Sequence, residues 1–485
     1  MNRGKLKAQI LSGMLWKFAE RFVAQGVSFA VSLILARILM PSDYGIVAII
    51  NVLISVADVI LSSGLNASLI QKKDASELEF STIFYCNLIF SCVLYLALFC
   101  ASPWMADIYE MPVLKSAIRI FALRLPISAF QSIQISYVSK RMEFRKFFWA
   151  TITGTVVSAV VGITMAVLGF GVWALIAQYL TNTLIDTLVL WITVRWHPKR
   201  MFSLKSAVPL IRYGWKVMMT DVLGTVCNNL GAFLIGAQYA SDQLAFYEKG
   251  KQLPQMLRSN IYTTLISVLF PGISSVNDDK EAVKQIAKKS IRMMSYVIFP
   301  MMFGLMAVGE SLIVVLYTDK WLPMLPFICL VCLETVFSVP GTISLQIIKS
   351  IGRSDTMLGA EIVKKLFFFV SILIAMRYGV MAIAFTLPLN TLLDFVINGI
   401  LTDRLVGYSV WEQIKDCLPA VSGSVIMALG VYVETLWITL ESFPMLCLQV
   451  ITGIAIYWGV SVLAKNESYR YLLSVLRKVR VHKTV

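Results

Sequence analysis

Residues 45–65 read GIVAIINVLISVADVILSSGL, an apolar run that carries a single acidic residue, Asp58. About 20 mostly apolar residues are enough for an α-helix to cross the hydrocarbon core of a bilayer. Fourteen such windows occur along the chain. They lie near 11–36, 45–65, 81–102, 117–138, 147–168, 171–194, 210–236, 244–271, 291–317, 325–348, 359–376, 380–401, 417–434 and 445–464. The sequence therefore predicts an all-α polytopic membrane protein with about 14 transmembrane helices.

The composition of the whole chain agrees with this fold class. Of 485 residues, 58% are hydrophobic and only 15% are charged, whereas soluble domains contain roughly 25% charged residues. So few charges exclude an ordinary soluble enzyme and a disordered chain. All eight cysteines lie in or beside apolar windows, where small thiols are expected as helix residues and not as a disulfide framework.

The basic residues are distributed unevenly between alternate connections. In or beside the connections on one side lie 31 of the 43 Lys and Arg residues, against four on the opposite side. Cytoplasmic loops of membrane proteins carry the excess of Lys and Arg. We therefore predict that both termini are cytoplasmic. The net charge of +15 then needs no nucleic-acid partner.

The chain also repeats itself internally. Trp16-Lys17 recurs as Trp215-Lys216, and Ser42-Asp43 recurs as Ser241-Asp242, both at an offset of 199 residues. Six spans per copy is an even number, so the two copies are expected to point the same way across the membrane. Parallel repeats are typical of transporters, with the substrate site at the repeat interface.

The repeat divides the chain into five predicted segments. They are an N-lobe at 1–195, a basic cytoplasmic linker at 196–209, a C-lobe at 210–403, two additional helices within 404–464, and a basic amphipathic cytoplasmic tail at 465–485. The tail is predicted to lie on the inner leaflet, because basic amphipathic segments bind anionic lipid surfaces.

A second repeated motif places polar residues inside two spans. The sequence NTLIDTL, which begins at Asn182, recurs as NTLLDFV from Asn390, at an offset of 208 residues. Asn182 and Asp186, like Asn390 and Asp394, lie one helical turn apart on one face. A cation or proton site is one interpretation of these pairs. We favour hydrogen bonding between helices within each lobe.

Basic residues inside the apolar windows are the strongest functional signal. Facing lipid at the centre of a helix costs a basic side chain about 2.5–3.5 kcal/mol or more. Arg21 is predicted near the middle of its span, and Lys17 and Lys216 are repeat equivalents. We predict a positively charged cavity between the lobes. Its candidate substrate-binding residues are Lys17, Arg21, Arg124, Lys216, Lys251 and Arg258.

The alternative is that nearby acids neutralise these cations and lock neighbouring helices together. The candidate acids are Glu20, Asp58 and Asp221, which are also the residues available for ion coupling. No catalytic motif such as HExxH, GxSxG or Walker A occurs in the chain, and no set of ligands has metal-binding spacing. The sequence therefore predicts a protein that is not an enzyme and that has no cofactor or metal.

Residues 35–45, LARILMPSDYG, carry a recognisable signature in the connection after the first span. This stretch resembles the pattern ARxLxPxDxG of bacterial polysaccharide flippases of the Wzx type, with Arg37, Pro41, Asp43 and Gly45 at the matching positions. The stretch from Phe299 to Glu334 is similar to the same family. The resemblance extends over nearly the whole chain and is closest to the colanic-acid and teichuronic-acid exporter branch.

The resemblance implies the V-shaped, MATE-like two-lobe fold of the multidrug/oligosaccharidyl-lipid/polysaccharide exporter superfamily. It also implies a location in the bacterial inner membrane and a substrate, an undecaprenyl-diphosphate-linked oligosaccharide moved to the outer leaflet for surface polysaccharide synthesis. Membrane lipids, a polysaccharide polymerase and glycosyltransferases are the partners it implies. The sugar and the energy source, proton, sodium or neither, stay open.

Two other classes of function are weighed against a flippase. A cation-coupled multidrug antiporter would share the fold, but organic cations would be repelled by a basic cavity. A membrane glycan polymerase or ligase would need a large outer catalytic loop, and the longest outer connection, about 103–116, is too short to form one.

The orientation is testable with single cysteines at Lys199 and Lys483 in a background without the native cysteines. We expect a membrane-impermeant maleimide to label neither position in intact cells and both positions after permeabilisation, because the basic connections are predicted to be cytoplasmic. Labelling of either position in intact cells, with a cysteine at Lys115 as the accessible control, would contradict the orientation.

Overall fold

The computed structural model describes residues 3–62, 66, 68–69, 72, 75–276, 278–352, 354–438 and 440–470. Within these ranges the regular structure is helical throughout. Most of the predicted basic tail, residues 471–485, lies outside the described residues, as do His482 and Lys483.

Sixteen α-helices and one 3₁₀ helix are described over these residues. They are α1 (Arg3–Ile38), α2 (Pro41–Ser62), α3 (Glu77–Ile108), α4 (Pro112–Phe121), α5 (Arg124–Arg141), α6 (Arg145–Val167), α7 (Val172–Thr193), α8 (Leu204–Gln238), α9 (Ser241–Ser274), α10 (Lys280–Ala307), α11 (Gly309–Leu316), the 3₁₀ helix (Asp319–Met324), α12 (Leu325–Ser350), α13 (Ser354–Ala375), α14 (Val380–Val406), α15 (Val410–Trp437) and α16 (Ser442–Leu463).

Eleven segments of the described chain are long and apolar enough to cross a membrane. The all-α polytopic fold class is therefore confirmed, whereas the number of fourteen spans stays a prediction. The three other predicted windows, 117–138, 244–271 and 359–376, coincide with helices (α4–α5, α9 and α13) but are not among the eleven. These helices carry several charged residues, among them Arg124, Lys251, Arg258 and two lysines at 364 and 365.

The chain forms two compact units, Met1–Ala245 and Phe246–Val485. In the first unit α6 packs against α1 and α7, and α5 packs against α3 and α7. A core beside the start of α3 joins Phe80, Tyr137 and Trp196, with the rings of Tyr137 and Trp196 stacked at 6.0 Å. The carbonyl of Trp196 accepts a hydrogen bond of 3.0 Å from Gln134 Nε2, which fixes the chain after α7 against this core.

In the second unit α12 packs against α14 and α10, and α10 packs against α15. Trp321 of the 3₁₀ helix is fully buried and contacts the rings of Phe246 and Tyr317 at 5.9 and 6.1 Å. Helix α8, which the repeat assigns to the C-lobe, packs on α2 and α3 and belongs to the first unit. The lobe boundaries derived from the repeat stay a prediction.

The signature at residues 35–45 forms the reversal between α1 and α2. Pro41 is the first residue of α2, a position that suits its fixed φ and missing N–H. Asp43 Oδ2 accepts a hydrogen bond of 3.1 Å from the backbone N–H of Met40, which satisfies a donor just before the helix. Gly45 lies against the backbone of Ser241 at the start of α9, and a Cβ at residue 45 would collide with it. The signature therefore has a structural role in a tight reversal and a close approach of two chain segments.

We expect Gly45→Ala to lower the melting temperature of the purified protein, because the added methyl group would collide with Ser241. Overpacking of this kind costs about 1–3 kcal/mol. Gly459→Ala is the matched control, since it also replaces a helical glycine and none of the described residues lies within 4 Å of the new methyl. Equal melting temperatures for the two variants would contradict the close approach.

Candidate functional site

The six predicted substrate-binding residues all lie on helices. Lys17 and Arg21 are on α1, Arg124 is the first residue of α5, and Lys216 is on α8. Lys251 and Arg258 are on α9. The position of Arg21 near the middle of its span stays a prediction.

Lys17 is held by an acid of its own helix. Its Nζ lies 3.0 Å from Glu20 Oε2 and 5.0 Å from the centre of the Phe147 ring. Glu20 is only 13% exposed, and its Oε1 accepts a hydrogen bond of 3.2 Å from Thr151 Oγ1 of α6. Glu20 lies on α1, so its hydrogen bond with Thr151 connects α1 to α6.

Arg124 is paired with an acid of another helix. Its Nη2 lies 3.3 Å from Asp58 Oδ2 on α2, and both side chains are 27% exposed. Asp58, the single acidic residue of the apolar run 45–65, thus neutralises a cation of α5. This ion pair is the arrangement expected in the alternative in which nearby acids neutralise the cations.

The two cations of α9 are also paired. Lys251 Nζ lies 2.6 Å from Glu248 Oε1 and 4.3 Å from the centre of the Tyr247 ring. Arg258 Nη1 donates a hydrogen bond of 2.7 Å to Glu334 Oε1 of α12. Four of the six predicted cations therefore have a carboxylate partner in this structure.

Arg21 and Lys216 differ from the other four cations. Both side chains are exposed, and within the described part of the chain neither has an ion pair or a side-chain hydrogen bond. Asp221, the third predicted acid, is exposed on α8 and likewise has no ion pair among the described residues. Of the six predicted residues, these two are the cations without a described carboxylate partner.

Sequence reasoning missed the two carboxylates of the α9 pairs. Glu248 carries a local signal, because an acid three residues before a lysine on a helix lies beside it. Glu334 is the only charged residue of the window 325–348, and an isolated carboxylate inside a membrane span indicates a partner or a function. Neither signal identifies Arg258 as the partner of Glu334, because that contact depends on how α9 and α12 pack.

The repeated Asn and Asp residues behave differently in the two units. Asn390 Nδ2 of α14 donates a hydrogen bond of 3.2 Å to Ser371 Oγ of α13, so the predicted bonding between helices is present there. Asp186 of α7 packs against Gly154 of α6, where a Cβ would collide with its carboxylate. Its buried Oδ1 has no hydrogen-bond partner among the described residues.

The described residues contain no group of three or more His, Cys, Asp or Glu side chains that could hold a metal ion. All eight cysteines are free thiols, as their apolar surroundings predicted. What the six predicted residues present is therefore charge, in four ion pairs and in two exposed cations.

Helices of this length and polarity define an all-α polytopic membrane protein with charged residues inside its spans. The family described as polysaccharide biosynthesis protein matches residues 34–326, which is more than half of the chain. The chain belongs to this family, and the resemblance to Wzx-type polysaccharide flippases is confirmed.

Two relatives match most of the chain. The succinoglycan biosynthesis transport protein ExoT of Rhizobium meliloti (strain 1021) is 25% identical, over 95% of this chain and 94% of the relative. The lipopolysaccharide biosynthesis protein WzxC of Escherichia coli (strain K12) is also 25% identical, over 82% of this chain and 80% of the relative.

A solved structure of the lipid II flippase MurJ in an inward closed conformation is similar in fold. It has a TM-score of 0.77 and 14% sequence identity, and the match covers 95% of this chain and 100% of that one. At this identity the likeness establishes the fold and not the substrate.

The pairing pattern makes a prediction about stability. We expect Arg258→Gln to lower the melting temperature, because it leaves the largely buried carboxylate of Glu334 without its partner, at a cost of about 1–3 kcal/mol. Arg21→Gln and Lys216→Gln should leave the melting temperature within error, since no described carboxylate depends on them. The measurement is thermal unfolding of the purified proteins in one detergent. A stable Arg258→Gln variant would contradict the ion pair.

Proposed function

We propose that the protein is a flippase for oligosaccharides linked to a polyprenyl diphosphate. It would move them from the cytoplasmic to the outer leaflet of the bacterial inner membrane by alternating access. The products would supply a polymerase that builds a surface polysaccharide, and glycosyltransferases would supply the substrate. Membership of the polysaccharide biosynthesis protein family and the names of the relatives ExoT and WzxC support this proposal.

The observation that carries the proposal is the exposure of Arg21 and Lys216 without a described carboxylate partner. A basic side chain that faces hydrocarbon is costly, so such residues face water or bind an anion. A diphosphate group has dense negative charge, and a guanidinium can bind it with two parallel hydrogen bonds. An anionic lipid carrier therefore suits these two residues in a way that a neutral substrate does not.

The surroundings of these cations suit the rest of the substrate. Gln25 and Ser28 lie about one and two turns beyond Arg21 on α1, and Thr220 lies one turn beyond Lys216 on α8. Hydroxyl and amide groups of this kind can hydrogen-bond to a glycan. The prenyl chain needs no protein site, because it can stay in the lipid phase. The same cations disfavour an organic cation as substrate, since like charges repel.

The test is export by Arg21→Gln and Lys216→Gln variants in a flippase-null strain that makes the matching repeat unit. We expect each variant to reduce surface polysaccharide at least about tenfold, because a lost charge-assisted contact weakens binding by that factor or more. Arg21→Lys should restore part of the export, since it keeps the charge but loses the planar fork.

Lys115→Gln is the matched control, because Lys115 is also an exposed basic residue but lies on α4 outside the spans. Surface polysaccharide is normalised to membrane-inserted protein, so that loss of folding is not counted as loss of transport. Normal export by the Arg21→Gln/Lys216→Gln double variant would overturn the proposed diphosphate contact.

A further inference from the structure

The two interhelical arginine pairs join equivalent helices of the repeat. Asp58–Arg124 joins α2 to α5 in the first unit, and Arg258–Glu334 joins α9 to α12 in the second unit. The repeated Ser-Asp sequences make the start of α2 equivalent to that of α9. The repeated NTL sequences do the same for α7 and α14, and counting back two helices from each reaches α5 and α12. The second and fourth spans of each copy are thus tied by one ion pair.

The two pairs join equivalent helices, but their polarity is reversed. Asp58 and Arg258 each lie 17 residues beyond the first residue of their helix, whereas Arg124 is the first residue of α5 and Glu334 lies nine residues beyond the first residue of α12. In the first unit the acid is on the second span and the arginine on the fourth, and in the second unit the order is the opposite. Each copy therefore has one arginine–carboxylate pair between these two spans, whichever helix supplies the arginine.

Both pairs leave the arginine with unused hydrogen-bonding capacity. Among the described residues, Arg258 donates through Nη1 alone, although a guanidinium has five N–H groups. Arg124 Nε is buried and has no hydrogen-bond partner among these residues. The side chains of Arg124 and Arg258 are 27% and 23% exposed, so neither arginine is sealed from its surroundings.

We propose that Glu334 is an internal competitor of the substrate diphosphate for Arg258, and that Asp58 has the same role for Arg124. This inference rests on the proposed flippase function. In the substrate-free protein the carboxylate neutralises the arginine at one hydrogen-bonding position. A diphosphate can engage two N–H groups at once and carries more charge, so it can displace a singly bonded carboxylate.

A purely structural ion pair is the competing explanation, and the chain offers a control for it. One turn along the same two helices, Tyr262 Oη and Ser338 Oγ lie 2.5 Å apart. This second link between α9 and α12 carries no charge. A change at Tyr262 therefore weakens the same helix contact without changing the number of anions beside Arg258.

The experiment measures binding of undecaprenyl diphosphate to the full-length protein in nanodiscs. We expect Glu334→Gln to bind the lipid roughly tenfold more tightly than the wild type, because one competing charge-assisted hydrogen bond has been removed. Asp58→Asn should change affinity in the same direction. Tyr262→Phe should lower the melting temperature and leave the affinity unchanged. Where Glu334→Gln does not fold, Glu334→Asp serves, with an intermediate gain in affinity from the shorter side chain.

Equal or weaker binding by Glu334→Gln would overturn the inference and leave the proposed function intact, provided that the wild type binds and exports. A gain in affinity by Tyr262→Phe as large as that of Glu334→Gln would also overturn it, because helix loosening would then be the cause. Absence of binding by the wild type and all variants would overturn the proposed diphosphate substrate and the inference together.

Discussion

The high free energy of a charge in hydrocarbon is the constraint on which the rest of this structure depends. A helix can cross the bilayer because its backbone groups are bonded internally, but a charged side chain on it needs water, an opposite charge or a ligand. In this chain Lys17, Arg124, Lys251 and Arg258 have a carboxylate. Two of these pairs, Asp58–Arg124 and Arg258–Glu334, join different helices, and pairing also determines which of the predicted cations are left without a carboxylate.

Much of the fold follows from local sequence. The apolar windows are local features, and so are Pro41 at the start of α2 and Asp43, the third residue of that helix. The structure has helices where these features predict them. Helices α5, α9 and α13 were also recognisable, because each contains a long apolar run in spite of the charged residues within it. The two compact units could not be predicted in this way. Helix α8 belongs to the first unit because it packs on α2 and α3, and no local sequence pattern indicates that packing.

The candidate site was predictable in its residue types and not in its contacts. Counting bases and acids identifies Arg258 as an intramembrane cation. Its neutralisation by Glu334, 76 residues further along the chain, depends on the rotation and depth of the two helices that carry these residues. The same holds for Asp58 and Arg124, whose separation in sequence is large. Pairs within one helix, such as Glu248 with Lys251, are the exception, because helical spacing alone brings them together.

A transporter must release its substrate as well as bind it, and this requirement gives the paired arginines a use. A site made only of free cations would hold a diphosphate tightly and release it slowly, whereas transport needs binding that is favourable but not too strong. In the proposed mechanism, a carboxylate that returns to its arginine would compensate the charge that the departing diphosphate leaves behind. Exposed Arg21 and Lys216 would attract the anion, and Glu334 and Asp58 would limit its affinity. A division of this kind would explain why acids and bases occur together in the spans of a chain whose proposed substrate is an anion.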